Sequence, residues 1–322
     1  MTTVAAVIPI YNDWEAARLL LSQLDAAVAE FVGELDVILV DDGSTEMLDG
    51  RLAEVRLNKI RRVTVLALRR NMGNQRAIAV GLCWLEVNRA LDLVIVLDGD
   101  GEDDPADIPA LIAECQRCDC QKIVFAARMK RSESLLFRML YVAYRAFHVL
   151  LTGISVRVGN FSVVPKQSLH RLVVVSNLWN HYAASVFQSR IPYTLYPTTR
   201  AKRVSGSSRM NFVSLVSHGL SAISIFADRV GVRLLVGVAC LIVLAAAALA
   251  GVLAIKFGTT LAIPGWATNA VGILLVLLSQ LFLLALVFTF IVLANRDNSQ
   301  MIPLRDYEYF VDGTIDVFRR GQ

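Results

Sequence analysis

The chain has 322 residues, enough for one large domain or two ordinary ones, and a formal net charge of +4. That modest charge suits anionic lipid headgroups and gives no reason to expect a nucleic-acid partner. A mean hydropathy of +0.53 is high for a wholly soluble protein, and the apolar excess is confined to two stretches near the C-terminus.

In chain order, Val4 to Ile10 (VAAVIPI) reads as a strand ending at Tyr11-Asn12-Asp13. No signal peptide is expected there, because Pro9 and the polar residues after it mark a strand and turn. Trp14 to Phe31 has helical periodicity, with Leu19, Leu20, Leu24 and Val28 on one side. Leu35 to Val40 is a second strand, ending in Asp41-Asp42-Gly43-Ser44-Thr45. Val63 to Leu68 is a third, followed by Arg69-Arg70-Asn71-Met72-Gly73-Asn74 and a helix over 75–88. A fourth strand covers 93–97, a helix about 106–115, and a further strand 122–127, ending at Arg128. Strands alternating with helices predict a doubly wound, mostly parallel α/β sheet. No G-x-G-x-x-G follows any strand, which argues against a dinucleotide-binding dehydrogenase.

The fourth strand carries the chemistry. Leu93 to Pro105 reads LVIVLDGDGEDDP, an apolar run that ends abruptly in acid. Ligands of open α/β sheets bind beyond the carboxyl ends of the strands. Asp98, Asp100, Glu102, Asp103 and Asp104 crowd that point, and like charges so close repel unless a cation sits among them. Mg²⁺ prefers such oxygens and leaves room for substrate phosphates, so a metal–diphosphate site is expected. The competing reading is a solvated acidic turn capping the next helix.

Five cysteines lie in a chain whose soluble part is expected in the cytoplasm, so disulfides are not expected. Cys115, Cys118 and Cys120 offer three soft ligands for zinc, but no fourth Cys or His follows at a usual spacing. His148, His170, His181 and His218 have no metal-ligand spacing.

Beyond Arg128, Ser134 to Leu151 mixes Arg and Tyr with apolar residues, and Phe212 to Phe226 is apolar with Ser and one His. Both read as helices able to lie in a membrane interface, or as ordinary packing helices. Between them, residues 196–209 bring Arg200, Lys202, Arg203 and Arg209 together with hydroxyls and Gly206, the residue types that bind phosphate oxygens. Leu234 to Ile255 and Ala270 to Leu293 are each long enough to cross a hydrocarbon core of about 30 Å. The link 256–269 carries only Lys256, whereas Arg229, Arg233, Arg296 and Arg305 flank the pair, so both ends of the hairpin are expected on the cytoplasmic side. The expected division is a cytoplasmic domain over 1–211, a juxtamembrane amphipathic helix over 212–233, a two-span hairpin over 234–294, and a polar tail over 295–322.

Together these residues resemble glycosyltransferase family 2, and within it the polyprenyl-phosphate glycosyltransferases of the dolichol-phosphate mannose synthase type. VIPIYND is similar to the family's V-I-P-x-Y-N-E, with Asp13 replacing Glu, and DDGST at 41–45 to its D-D-G-S. NMGNQRAIAVG at 71–81 is similar to N-x-G-x-x-x-A-x-x-x-G, DGDGEDDP at 98–105 to D-A-D-L-Q-x-x-P, and RAKRVSGSSR at 200–209 to R-x-x-R-x-x-G-x-S-K. With Arg128, which is similar to the Arg that ends the family's next strand, six matches in order are specific where none alone is decisive.

The resemblance implies a GT-A fold and an inverting transfer of one hexose from a nucleotide sugar, UDP-glucose or a relative before GDP-mannose, to polyprenyl phosphate at the cytoplasmic membrane face. Pro9, Tyr11, Asp13, Asp42, Asn71, Gly73, Asp98 and Gly99 would contact the nucleotide sugar. Asp98, Asp100 and Glu102 would hold Mg²⁺ or Mn²⁺. Asp100, Asn160 and Arg128 would act in catalysis, and Arg131, Arg200, Arg203, Ser208 and Arg209 would bind acceptor or donor phosphates. Relatives imply a homo-oligomer. Three departures stand out. Glu102 replaces a usual Gln, Asn160 replaces the Asp of D-F-R that is often proposed as base, and Ser162 replaces that motif's Arg. A phosphate acceptor, largely anionic near neutrality, has little need of a base. Rival readings are a processive polysaccharide synthase, whose Q-x-x-R-W motif is not visible here, and a catalytically inactive partner-binding module that keeps the fold.

Overall fold

The computed structural model describes residues 2–29, 33–48, 50–52, 55–128, 149–153, 158–198, 221, 223–260, 263–297 and 301–321. They divide into two units, one built of residues up to 128, 158–225 and 301–321, the other of 149–153 and 226–297.

The first unit is an eight-stranded sheet. Its strands are β1 (Thr2–Ile10), β2 (Gly33–Asp41), β3 (Ile60–Leu68), β4 (Leu93–Val96), β5 (Ile123–Arg128), β6 (Ser162–Pro165), β7 (Tyr193–Thr198) and β8 (Val311–Arg319), in the order β7-β5-β6-β4-β1-β2-β3-β8. β1 pairs parallel with β2 and β4, β2 with β3, and β5 with β7. The apolar runs of β1, β2 and β4 are buried nearly end to end, as strands covered on both faces should be. Helices α1 (Trp14–Ala27), α2 (Asn74–Asn88) and α3 (Ile108–Arg117) follow β1, β3 and β4. Gly81 lets α2 lie close on the sheet, since a Cβ there would stand 2.7 Å from Val7 Cγ1 and 2.8 Å from Val40 Cγ2. The α/β expectation therefore holds. The sheet is nevertheless mixed, because β6 enters antiparallel between β4 and β5. α1 stops at Ala27, short of the periodic pattern's end at Phe31.

Asp25 near the end of α1 fixes the entry to β3. Its buried carboxylate accepts from the backbone N–H of Asn58 (2.8 Å), Lys59 (2.7 Å) and Ile60 (2.9 Å). Removing the acceptor strands these donors, each costing about 1–3 kcal/mol where water cannot reach. We expect Asp25→Ala to lose about 3 kcal/mol of stability, read from denaturant melts of the detergent-solubilised protein.

Two short helices, α4 (Lys166–Leu172) and α5 (Tyr182–Gln188), fill the stretch between β6 and β7. Residues 301–321, read from the sequence within a tail from 295, instead complete the sheet. After one helical turn (Pro303–Asp306), β8 runs antiparallel to β3. Leu304 N–H donates to Val173 O (3.0 Å), Arg69 N–H to Phe310 O (3.0 Å), and Thr64 Oγ1 to Asp316 Oδ1 (2.6 Å).

The second unit is dominated by α6 (Ala227–Gly258) and α7 (Trp266–Asp297). Each has 32 residues, about 48 Å of helix, and contains the span expected from the sequence. The helices meet through Val238, Ala245 and Leu281, with Ile242, Leu278, Ala285 and Phe288 around them. Large apolar side chains point outward: Leu244 is 65% exposed and Phe290 68%. That is a surface suited to lipid, not water. At the start of α6, Arg233 donates through Nη1 to the carbonyls of Leu150 (2.6 Å) and Val149 (3.2 Å).

Candidate active site

The site is built where β1, β2, β3 and β4 end on the same edge. Asn12, at φ 49°, ties the first loop to the second. Its N–H donates to Ser44 Oγ (2.9 Å), its Nδ2 to Thr45 Oγ1 (3.0 Å), and its Oδ1 accepts from Thr45 N–H (2.8 Å) and Glu46 N–H (3.1 Å). Tyr11 beside it is 39% exposed, and Pro9 is buried in β1 against Val40.

Asp42 ties the second loop to the third. Its N–H donates to Ile10 O (2.8 Å), while its carboxylate accepts from Met72 N–H (2.7 Å) and Gly73 N–H (2.8 Å). Burial pushes its carboxyl above the usual range, and the two backbone donors offset this only in part. The residue expected to touch base or ribose thus has both oxygens engaged with backbone and is 3% exposed. Here it braces the loop that presents Asn71, which is exposed. Gly43 makes the approach possible. At φ +68°, a Cβ there would lie 2.5 Å from Arg70 C and 2.6 Å from Asn71 N.

After β4 the acids divide their labour. Asp103 is buried and accepts from Asp98 N–H (3.0 Å), and Asp104 caps the following turn through Ala106 N–H (3.0 Å). Asp100 accepts from Glu102 N–H (3.0 Å), closing the turn. Gly99 passes so near Pro9 that a Cβ would stand 2.7 Å from its carbonyl oxygen. Asp98 Oδ1 accepts from both Asn74 Nδ2 and Asn160 Nδ2, each at 3.0 Å. Asn160 Oδ1 accepts from Gln75 Nε2 (3.1 Å), and Gln75 Oε1 from Tyr182 N–H (2.7 Å). Ser162 Oγ donates to Asn160 O (2.9 Å), so the Tyr182 hydroxyl donates to Ser162 Oγ (2.7 Å). Ser162 is fully buried.

The structure thus gathers Asp42, Asn71, Gly73, Asp98, Gly99, Asp100 and Asn160 at one edge. Arg128 ends β5, parallel to β7. Arg131, Arg200, Arg203, Ser208 and Arg209 lie outside the described residues, as do most of the two interfacial helices. Asn12, Asn74, Gln75 and Tyr182 were not singled out from the sequence. Asn12 and Asn74 sit inside quoted motifs. Gln75 and Tyr182 gave no signal, because their role depends on a contact 107 residues apart.

Among the described residues no three His, Cys, Asp or Glu side chains form a ready cation cage. Mg²⁺ and its like need only one or two carboxylates beside substrate phosphates, and Asp98 and Asp100 at a half-buried strand end fit that demand. Cys115 is buried, and burial with Cys120 alongside pushes its thiol up to about 12.

The glycosyl transferase family 2 profile matches residues 5–173, and the chain belongs to that family. Among curated relatives, undecaprenyl-phosphate 4-deoxy-4-formamido-L-arabinose transferase of Erwinia tasmaniensis is 28% identical over 221 residues, 66% of this chain and 65% of that protein. The enzyme of the same name from Photorhabdus laumondii is 29% identical over 220 residues, with the same coverage. The match thus spans 65% of the length of these relatives. A crystal structure of glucosyl-3-phosphoglycerate synthase from Mycobacterium tuberculosis with Mn²⁺, UDP and phosphoglyceric acid is 16% identical, covering 71% of this chain and 79% of that one at a TM-score of 0.49.

Proposed function

We propose that the protein transfers one sugar from a nucleotide sugar to the phosphate of a polyprenyl carrier, with inversion, at the cytoplasmic face of a membrane. The observation that carries this is the convergence of Asp98, Asp100 and Asn160 with the Asn71–Gly73 loop, in a chain that also carries two long apolar helices. The relatives' named acceptor, undecaprenyl phosphate, supports the lipid substrate. An acceptor phosphate oxygen attacks the anomeric carbon. The new C–O bond forms as the bond to the nucleoside diphosphate breaks, and the leaving group departs with the electron pair.

Asn160 has no ionisable group and so cannot act as a base; it serves as a donor to Asp98. The acceptor's second ionisation, near 6, leaves it anionic at neutrality, so no base is required. Asp98 and Asp100 would hold Mg²⁺ or Mn²⁺, which when bound stabilises negative charge on the departing diphosphate. Arg128, Arg131, Arg200, Arg203, Ser208 and Arg209 are assigned to phosphate contacts by residue type alone. The transferase domain comprises 1–211 with 301–321, less 149–153, which belong with the helical unit, and the hairpin comprises 234–294. A pair of spans returns the chain to the side it left, which the pairing of β8 with β3 requires and a single span would forbid.

The test is sugar transfer to undecaprenyl phosphate in detergent. Radiolabelled UDP-glucose, UDP-4-deoxy-4-formamido-L-arabinose and GDP-mannose would be supplied as donors, with Mg²⁺, Mn²⁺ or EDTA. A labelled, mild-acid-labile lipid formed only with metal is expected, with a UDP-sugar as the better donor. Hydrolysis of donor without lipid product would overturn the acceptor assignment. Silence with every donor, and no nucleotide binding, would favour an inactive partner module.

A further inference from the structure

We propose that Gln75 is a positioning residue that sets which end of the Asn160 side-chain amide faces Asp98, and so holds the Asp98 carboxylate for a divalent cation and diphosphate. The inference rests on the reading of Asp98 as part of the donor site.

The direction of every bond in this chain is dictated from one end. A backbone N–H can only donate, so Tyr182 N–H, 2.7 Å away, requires the oxygen of Gln75 to face it. The amide nitrogen of Gln75 must then face the other way, where it meets Asn160 at 3.1 Å. That nitrogen can only donate, so Asn160 presents its oxygen to Gln75 and its own nitrogen to Asp98 at 3.0 Å. Asn74 Nδ2 adds a second donor to the same Asp98 oxygen. Asp98 is thereby pinned from two sides by neutral donors, which orient it without competing for its charge. Tyr182 is a firm anchor: its side chain is fully buried, and its hydroxyl bonds Ser162, which in turn bonds the Asn160 carbonyl.

The same logic explains why position 160 holds Asn. An ionised Asp there would accept from Gln75 but present a second carboxylate oxygen to Asp98, acceptor against acceptor. Residues supporting a cation's ligands from behind are worth about 10–100-fold in metal affinity. Gln75 acts at one remove further, through Asn160.

The decisive variant is Gln75→Glu. It keeps an oxygen for Tyr182 N–H but presents a second oxygen to Asn160, which must turn its amide over and aim its oxygen at Asp98. The measurement is Mn²⁺ binding to the UDP-saturated, detergent-solubilised protein, by electron paramagnetic resonance of free Mn²⁺. The expected result is about a tenfold or greater loss of Mn²⁺ affinity in Q75E, with UDP affinity in EDTA unchanged. In an Asn160→Ala background the same change should cost less than about twofold, because the relay is already cut. Unchanged Mn²⁺ affinity in Q75E would overturn the proposal, and so would an equal loss in both backgrounds. If the unaltered protein bound no Mn²⁺ with UDP, the donor-site reading itself would fall. The relay would then be judged by the side-chain amide resonances of Asn160: a shift in Q75E supports it, and no shift overturns it.

Discussion

Asp100→Ala is expected to lower sugar transfer by about 10²–10³-fold, the usual effect of removing one preorganised group that stabilises developing charge. Asp98 and Asp100 stand two residues apart at the end of β4, where the chain turns through Gly99 against the Pro9 carbonyl. Asp98 is held by Asn74 and Asn160, whereas Asp100 accepts from Glu102 N–H within its own turn. Losing Asp100 therefore leaves the Asp98 network standing and removes one of the two carboxylates available to a cation. Asp100→Asn separates charge from turn. It keeps an oxygen for Glu102 N–H, so the fold should be unaltered, yet transfer should fall nearly as far. Rates would be measured across a Mn²⁺ titration, and the loss should not be recovered at saturating metal. Full activity of Asp100→Ala with metal bound would sink this assignment of the site.

Gly43→Ala is expected to destabilise the protein by about 2–5 kcal/mol, combining left-handed backbone strain with overlap against a backbone that has nowhere to go. The added Cβ would stand 2.5 Å from Arg70 C and 2.9 Å from Arg70 Cα, both main-chain atoms. The only relief is to part the two loops, and that lengthens the bonds from Met72 and Gly73 N–H to the Asp42 carboxylate. UDP binding should weaken together with the melting temperature. Gly73→Ala is a useful contrast: it shares a positive φ of 89° but meets nothing within 4 Å, so it should pay in strain alone. Equal melting temperatures for Gly43→Ala and the parent would refute the close-approach argument.

The parts of this molecule that were legible in the sequence share one property: their structural cause is local. β1, β2, β3, β4 and β5 announce themselves as short apolar runs, and each ends within one residue of its expected end. The two long C-terminal helices are visible because each is a nearly uncharged apolar run of the length a hydrocarbon core requires. What escaped depends on distant partners. β6 is four residues long and β7 carries Pro197, tolerable only because β7 is an edge strand. β8 alternates too weakly to be recognised without β3 beside it. In the site, acids were found by charge density and by motif, but the backbone donors that Asp42 and Asp103 accept from are revealed only by burial and donor geometry. Gln75 was invisible because its effect is to choose an orientation, not to contribute a charge.

The antiparallel pairing of β8 with β3 sets an order of events in biosynthesis. Thr64 and Asp316, bonded at 2.6 Å, are 252 residues apart, and both apolar helices are translated between them. A ribosome must therefore synthesise both helices before the sheet can acquire its last strand. Until then β3 presents an unpaired edge, the kind of surface that invites pairing with other chains. Closing so long a loop late is slow compared with local helix formation. A nascent chain that stalls before β8 is made would thus be left with an open sheet, a state that quality-control proteases can recognise.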